Sequence, residues 1–406
     1  MAPSSNMISV FLCLVFFVSI ASSHHHGNDM EEKLTQSMNL FSSDLFKEVF
    51  HDAEHAGKNL FMSGMSADIV LAMLSLGAKG KTLNEIIDGL HLPNPAYVKA
   101  FYKEAIDKMN AYQHVTMNLT NKVYVKEGDK YELAPAYKAY VTYLFNSEVE
   151  NIDFSQNVAA AAKINAWVEE KTNGTIKDIV KPSNFDSSTT LVLVNTIYFK
   201  GVWENKFNPY ETAKDSFHVS ATKQILVDLM FQQNYTKYGE SEELDAKMMK
   251  LNFEGNEMSM VFILPNKVDG LAALEEKLTA DYGKLKAMFD SLQTKFVTMY
   301  LPKFEIETST DLKAALSKLG MSTMFSSDAE LGGILVNSSP MNVNDVIHKA
   351  YIDVNEKGVT AGAATAVTGH IVIPPEKEFI ADHPFCFGLV NSDGQIVFSG
   401  HFTGEQ

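Results

Sequence analysis

The chain has 406 residues, of which 46% are hydrophobic and 21% are charged, as is typical of a globular protein with a large core. Its formal net charge of −16 argues against binding to nucleic acid and to anionic membrane surfaces. The length would suit two or three average domains, but no linker, repeat or low-complexity tract divides the chain, so we expect one large domain.

The first residues predict a secreted, extracellular protein. Residues 1–23 carry no charged side chain, and residues 8–20 form an apolar run of signal-peptide length that is short for a membrane span. Small residues end this segment, so we expect cleavage after Ser23. The interpretation gives a signal peptide over residues 1–23 and a single domain over residues 24–406, in which residues 24–33 form a flexible tail.

The cysteines and sequons fit a secreted chain that is held together by its core. Cys13 lies in the predicted signal peptide, so Cys386 has no partner for an internal disulfide, and its apolar neighbours predict that it is buried. Asn-X-Ser/Thr sequons predict a glycoprotein. The candidate glycosylation sites are Asn118, Asn173, Asn234 and Asn337. Turn-like contexts favour Asn173 and Asn337.

The histidines do not predict a metal site. Residues 24–26 are three histidines in the predicted tail. His51 and His55 lie four residues apart with an acid between them, but Asp52 follows the first His where a zinc protease has its Glu, and no third ligand follows at a recognisable spacing. We therefore expect no metal and no cofactor.

Periodic apolar residues predict several helices. Residues 34–49 and residues 159–170 have the helical spacing of an amphipathic segment. Residues 82–85, Thr-Leu-Asn-Glu, resemble a capping box that starts another helix.

Two segments combine buried strands with polar residues that need partners. Residues 59–74 predict a short buried strand, a turn and a buried helix, and Ser63 and Ser66 suit helix capping at its start. Residues 191–199 form a nearly continuous apolar run, as in a strand buried on both faces. Asn195 lies inside this run and must find a hydrogen-bond partner.

An uncharged stretch of small residues lies near the C-terminus. From Gly358 to Pro375 no residue is charged, and Gly, Ala and Thr dominate the first half. The stretch alone is as compatible with a small-residue linker or a buried helix as with a mobile segment that inserts into a sheet. It could also enter a sheet as a new strand, because its side chains are small and no Pro lies between Glu356 and Ile373. An inserted strand of about 14 residues would span about 45 Å.

This stretch resembles the reactive loop of a serpin, and the resemblance continues in chain order over about residues 34–404. It implies an α+β serpin fold with a large central, mostly antiparallel β-sheet, further sheets, about nine helices and an exposed reactive loop at about residues 356–375. The chain looks most like the inhibitory serpins of arthropods, although Gly64 stands where the family usually has Pro. The motifs that carry the resemblance are Asn165, Trp167 and Val168, then Asn195, then Gly201, Val202, Trp203 and Phe207, then residues 297–304, 312–321, 345–350, 379–385 and 397–400.

The resemblance implies roles for three groups of residues. The shutter, which joins the middle strands of the central sheet, comprises Ser63, Ser66, Asn195 and His348. The breach, at the top of that sheet, comprises Trp203, Lys303 and Glu356, with a salt bridge between the last two. The hinge of the loop comprises Glu356, Gly358, Val359, Thr360, Ala361, Gly362, Ala363 and Ala364, and we expect it to be largely exposed before cleavage.

The bond that a protease would cut is placed within one residue. In the family the scissile residue lies sixteen residues after the hinge Glu, which indicates Val372, whereas counting back from Pro374 indicates Ile371. The reactive bond therefore lies among Ile371, Val372 and Ile373, with His370 as an outside alternative. An aliphatic residue favours an elastase-like or chymotrypsin-like target over a trypsin-like one.

The predicted function is inhibition of a serine protease as a suicide substrate, in which the loop is cleaved and the acyl-enzyme is trapped by insertion of the hinge. The alternative is a non-inhibitory serpin that acts as a carrier, storage or structural binding protein. No nucleophile-elbow motif supports an enzyme, so we expect no catalytic residues. We expect a monomer that forms a covalent complex with its protease, and no strong heparin site, because the lysines of residues 79–108 form no one-sided patch.

Overall fold

The computed structural model describes residues 31–359 and 374–405, which contain nine α-helices and fifteen β-strands. The helices are α1 (31–50), α2 (Gly64–Ser75), α3 (Gly80–Gly89), α4 (Ala96–Asn110), α5 (Pro135–Phe145), α6 (Asn157–Lys171), α7 (Leu271–Ala280), α8 (Tyr282–Asp290) and α9 (Lys313–Lys318). The strands are β1 (Leu60–Met62), β2 (Val115–Lys126), β3 (Glu148–Ile152), β4 (Leu191–Val202), β5 (Ala213–Ser220), β6 (Lys223–Ser241), β7 (Ala246–Asn252), β8 (Met258–Pro265), β9 (Gln293–Pro302), β10 (Phe304–Asp311), β11 (Val343–Asn355), β12 (Gly358–Val359), β13 (Lys377–Ile380), β14 (Phe385–Asn391) and β15 (Ile396–Phe402).

The central sheet has six strands in the order β10-β11-β12-β4-β2-β3, and β11 also pairs directly with β4. The pairs β11–β4 and β2–β3 are parallel, and the others are antiparallel. Strand β4 is buried along almost its whole length, as its continuous apolar sequence predicts, because helices or the second sheet cover both of its faces.

The second sheet has nine strands, in the order β1-β15-β14-β8-β7-β6-β9-β13 with β5 paired to β6. Helix α2, all of whose residues are buried, lies in the core and contacts both β4 and β15. Helix α6 covers the other face of the central sheet, where Ile164 and Val168 join the same apolar cluster as Val192 and Val194. The observed architecture is the predicted α+β fold, with a mostly antiparallel central sheet.

The N-terminal helix begins earlier than the sequence pattern predicts. Helix α1 already includes residues 31–33, which we had placed in the tail. The Glu31 carboxylate accepts a hydrogen bond from the Lys108 ammonium at 2.9 Å, and this contact with α4 holds the first turn in place. The predicted signal peptide and the tail before residue 31 lie outside the described residues. No helix within the described ranges is long and apolar enough to cross a membrane.

The predicted capping box before the third helix is wrong. Helix α3 begins at Gly80, with Lys79 as its N-cap, so Thr82 and Glu85 lie inside it. The Glu330 carboxylate accepts the Lys81 backbone N–H at 2.7 Å and supplies the cap from a distant part of the chain. The Thr82 hydroxyl instead accepts the Glu330 backbone N–H at 3.0 Å.

The expected burial of Cys386 is confirmed.

Candidate functional site

The first hinge residues already belong to the central sheet. Gly358 pairs with Val202 of β4 and Asn355 of β11, while Val359 pairs with Gly201 and Val354, in antiparallel register to both strands. Gly358 has φ of 141°, and a Cβ there would lie 2.2 Å from the Gly201 carbonyl oxygen, so no other residue fits. The expectation of a largely exposed hinge is therefore wrong for Gly358 and Val359, which are buried because the ends of β4 and β11 diverge and leave room for a strand. The hinge residues from Thr360 to Ala364 lie outside the described residues.

Trp203 ties the end of β4 to the start of the hinge. Its indole N–H donates to the Asn355 carbonyl at 3.0 Å, and its backbone N–H donates to the Lys357 carbonyl at 2.9 Å. The ring is buried and stacks on Phe253 with centroids 4.6 Å apart. The large side chain therefore closes the space beneath the turn that joins β11 to β12.

Glu356 lies in the same turn and is held by several donors. The Lys303 ammonium is 3.1 Å from its carboxylate, and the Thr212 hydroxyl donates to that carboxylate at 2.8 Å. Burial acts to raise the pKa of Glu356, but hydrogen bonds from its own backbone N–H, from Thr212 and from Lys303, together with the Lys303 charge, hold the pKa below its usual value. The structure thus brings together the three residues assigned to the breach.

His348 and Asn195 meet at the centre of the sheet, directly opposite each other on β11 and β4. The His348 Nδ1 lies 2.5 Å from Asn195 Oδ1, and its Nε2 lies 3.1 Å from the Ser63 backbone nitrogen. Since the backbone N–H can only donate, Nε2 must accept, and Nδ1 carries the proton and donates to Asn195. Complete burial lowers the pKa of His348 to about 4, so the ring is neutral at physiological pH.

The two serines complete this polar cluster beneath the sheet. The Ser63 hydroxyl caps α2 by accepting the Ser66 backbone N–H at 3.0 Å, and it also donates to the Val397 carbonyl at 2.6 Å. The Asn195 amide donates to the Ser66 carbonyl at 2.8 Å and also contacts the Ser66 hydroxyl. Helix capping and a link between the sheets are therefore combined in one residue, Ser63.

Two contributors to the site were missed by the sequence analysis. Asn121 of β2 lies directly opposite Asn195, whose amide it accepts, and Thr212 binds Glu356. Residues 121–125, Asn-Lys-Val-Tyr-Val, have the alternation of a strand, and Asn121 was a usable signal because a buried Asn side chain needs a partner. Thr212 carries no such signal, since its neighbours in sequence are exposed.

The predicted sequons differ in exposure. Asn173 and Asn337 lie on exposed turns, whereas Asn118 and Asn234 are half-buried in β2 and β6. The residues of the predicted reactive bond, Ile371, Val372 and Ile373, lie outside the described residues.

Comparisons with known proteins agree with this geometry. A family model described as Serpin (serine protease inhibitor) matches residues 36–404. Antitrypsin of Bombyx mori is 36% identical over 97% of this chain and 100% of its own length, and alaserpin of Manduca sexta is 37% identical over 97% of this chain and 99% of its own. The crystal structure of Serpin48, described as a highly specific serpin of the insect Tenebrio molitor, has a TM-score of 0.83 at 33% identity and covers 92% of this chain and 98% of that one. The chain belongs to the serpin family.

Proposed function

We propose that this protein is a secreted serpin of the arthropod inhibitory type that inhibits a serine protease as a suicide substrate. The protease cleaves the reactive loop and remains attached as an acyl-enzyme. The hinge then enters the central sheet and traps the attached protease before the acyl bond can be hydrolysed. The protein itself is not a catalyst, and serpins in general are protease inhibitors.

The observation that carries this proposal is strand β12. Strands β4 and β11 are parallel and directly paired over residues 191–198 and 343–351, but beyond them β12 lies between the two strands, antiparallel to both. An antiparallel neighbour on each side is the arrangement that a fully inserted loop would need. The start of the hinge therefore occupies the path along which the rest would follow.

Two polar sites are placed to control that insertion. We assign Ser63, Ser66, Asn195 and His348 as the shutter, because their hydrogen bonds join β4 and β11 where an entering strand must separate them. We assign Trp203, Lys303 and Glu356 as the breach, because they hold the turn where the hinge enters. The names of two relatives, antitrypsin and antichymotrypsin-2 of Bombyx mori, support an inhibitory role over a carrier or storage role.

The reactive bond is proposed to lie at Ile371, Val372 or Ile373. No Lys or Arg occurs between Lys357 and Lys377, and the residue at the cleaved bond is aliphatic. This favours an elastase-like or chymotrypsin-like target, even though one relative is named for trypsin. We expect an acyl-enzyme complex that survives SDS with such a protease, and a released C-terminal peptide that begins at Val372 or Ile373.

In the decisive experiment the full-length protein is incubated with elastase-, chymotrypsin- and trypsin-like proteases, and the SDS-stable complex and the released C-terminal peptide are both measured. Val372→Arg or Ile371→Arg should shift inhibition toward trypsin-like enzymes, because a cation then meets their acidic pocket. Val336→Arg, at an exposed position in the turn before β11, is the matched control and should leave selectivity unchanged. Cleavage without any SDS-stable complex would instead indicate the non-inhibitory alternative.

Secretion and glycosylation need a separate test. The secreted protein should begin near residue 24, and a glycosidase should reduce its mass, with Asn173 and Asn337 as the favoured sites because their side chains are exposed. A protein retained in cells with residue 1 intact would contradict this part of the proposal.

A further inference from the structure

Two lysines lie directly opposite each other on neighbouring strands of the second sheet. Lys237 of β6 pairs with Lys250 of β7 in their antiparallel ladder. Side chains at such positions share a side of the sheet and have Cβ atoms about 5 Å apart, and like charges placed in this way repel each other. The pair is therefore an arrangement that the fold alone does not favour, in a chain whose net charge is −16.

No carboxylate offsets this repulsion. Neither ammonium forms an ion pair or a hydrogen bond with any residue in the described ranges 31–359 and 374–405. The Lys250 Nζ lies 5.1 Å from the centre of the Phe289 ring, a weaker compensation than an ion pair. Lys250 is half-buried, and burial together with the Lys237 charge lowers the pKa of its ammonium. The charged pair therefore lacks a counter-charge within this part of the chain.

A small cavity opens beside the two lysines, and both of them line it. It lies where β6 and β7 part, because the two strands pair only over residues 237–241 and 246–250. Its volume is about 170 Å³. A cavity of about 150 Å³ accommodates a molecule the size of benzene, so this one admits a small group and not a large ligand.

Neutral side chains around the cavity add hydrogen-bond donors. Asn234, the half-buried and therefore disfavoured sequon residue, accepts the Tyr235 backbone N–H with its Oδ1 at 2.8 Å, so its Nδ2 stays available to donate. The Thr294 hydroxyl, opposite Lys237 on β9, can donate as well. Together with the two ammonium groups, these donors suit a ligand that only accepts hydrogen bonds. A small oxyanion has that character.

One carboxylate at the other end of the cavity limits what can enter. Glu204 contacts the Asn252 side-chain amide at 3.4 Å, and Asn252 lies two residues beyond Lys250 on β7, about 7 Å along the strand. The carboxylate is thus placed beside Asn252, where it repels any negative charge that extends past the lysines. A compact anion held at the lysine end fits this charge distribution, and an extended polyanion does not.

The cavity also borders the segment that holds the hinge. Trp203 and Glu204 line it, and the Glu204 backbone N–H donates to the Asn252 carbonyl at 3.0 Å. A ligand in the cavity would therefore touch three parts of the chain at once, namely β6, β7 and the residues that follow β4.

We propose that the cavity between Lys237 and Lys250 binds a small tetrahedral oxyanion, of which sulfate and phosphate are the simplest examples. The bound ion supplies the counter-charge that the lysine pair lacks and links β6, β7 and the segment at Trp203. Because it binds the folded chain, it stabilises the protein in proportion to its concentration. The site does not depend on the proposed inhibitory function, since β4 and β11, which would separate on insertion, pair elsewhere.

The test titrates the full-length protein with sodium sulfate and, separately, with sodium phosphate, in sodium chloride adjusted to constant ionic strength. Calorimetry should show one saturable site with a dissociation constant of about 1 mM. The thermal midpoint should rise by about 1–2 °C at about 10 mM anion and then level off. A sulfated disaccharide is the third arm, and tighter binding of it through the same lysines would support the site and assign its anion to a sugar.

Lys237→Gln and Lys250→Gln should each weaken anion binding at least about tenfold. Because each change removes a repulsion, both variants should be as stable as the wild type in chloride alone. Lys130→Gln, at an exposed lysine, makes the same charge change and is the matched control, so it should bind like the wild type. An equal rise in the midpoint of the wild type and both variants would assign the effect to general salting-out and overturn the inference. Calorimetry that shows no saturable binding would overturn it as well.

Discussion

The neutral state of His348 makes the stability of the sheet depend on pH in a defined way. The ring donates from Nδ1 to Asn195 and accepts the Ser63 backbone N–H at Nε2, so a second proton would destroy the acceptor. The pKa of His348 is lowered by burial from 6.5 to about 4. Between these values the unfolded chain binds a proton that the folded protein does not, so the free energy of unfolding falls as the pH falls.

The size of this effect follows from the two pKa values. A difference of about 2.5 pH units corresponds to about 3 kcal/mol, which is lost progressively below pH 6.5 and completely by about pH 4. The contribution should be constant above about pH 7.5, where both states are neutral. Because His348 is completely buried, solvent does not screen this contribution.

The assay is denaturant unfolding of the uncleaved protein at pH 7.5 and pH 4.5, compared with His348→Gln. A Gln amide can donate to Asn195 and accept from Ser63 but does not titrate in this range. The variant should therefore lose about 2.5 kcal/mol less than the wild type between pH 7.5 and pH 4.5, since the other titrating groups are common to both. His114→Gln, at an exposed position, is the control and should follow the wild type. Equal losses in wild type and His348→Gln would refute the reasoning.

Three further substitutions test the hinge, the breach and the core. Val359→Arg should expel β12, because an unpaired buried cation costs several kcal/mol, and should convert the inhibitor into a substrate in a stoichiometry assay, whereas Val359→Ala should still trap protease. Lys303→Met removes a partly exposed partner of Glu356 and should lower stability by at most about 1 kcal/mol. The pKa of Glu356 is lowered, so this loss should be present at neutral pH and disappear in denaturant melts as acid protonates the carboxylate. Asp68→Asn should raise the thermal midpoint more at pH 8 than at pH 5. The buried Asp68 carboxyl accepts a hydrogen bond from the Tyr102 hydroxyl at 2.6 Å, and its second oxygen has no partner among the described residues. Burial raises the pKa of Asp68 to about 7, so the free energy of unfolding falls as the pH rises toward that value.

The sequence predicted those parts of the fold that depend on local pattern. The apolar run of β4 indicated a strand buried on both faces, and Asn195 within it indicated a buried hydrogen-bond partner. That partner is His348, which lies 153 residues further along the chain. Its identity came from the family resemblance, because periodicity carries no information on which distant strands pair.

The failures share a physical cause. Thr82 and Glu85 have the local chemistry of a capping box, but Glu330 reaches the helix terminus from a distant segment and takes that role. The small residues of the hinge are compatible with an exposed loop or a strand, and local sequence cannot distinguish the two. The burial of Val359 depends on the gap between the ends of β4 and β11, a property of the assembled sheet.

Strand β12 also fixes the register in which a cleaved loop would enter the sheet. In an antiparallel ladder each step forward along the loop is a step back along its neighbours, so Thr365, seven residues after Gly358, would fall opposite both Asn195 and His348. Insertion must break the 2.5 Å bond between those two side chains, and the Thr365 hydroxyl, on the same face, can donate to one and accept from the other. The exchange leaves no shutter group unsatisfied. Each residue that enters gains strand hydrogen bonds on both sides in place of the single β4–β11 ladder that it separates, a net gain of about one bond per residue at about 1 kcal/mol. A cleaved loop of this sequence would therefore stabilise the central sheet by separating the two strands that the shutter joins.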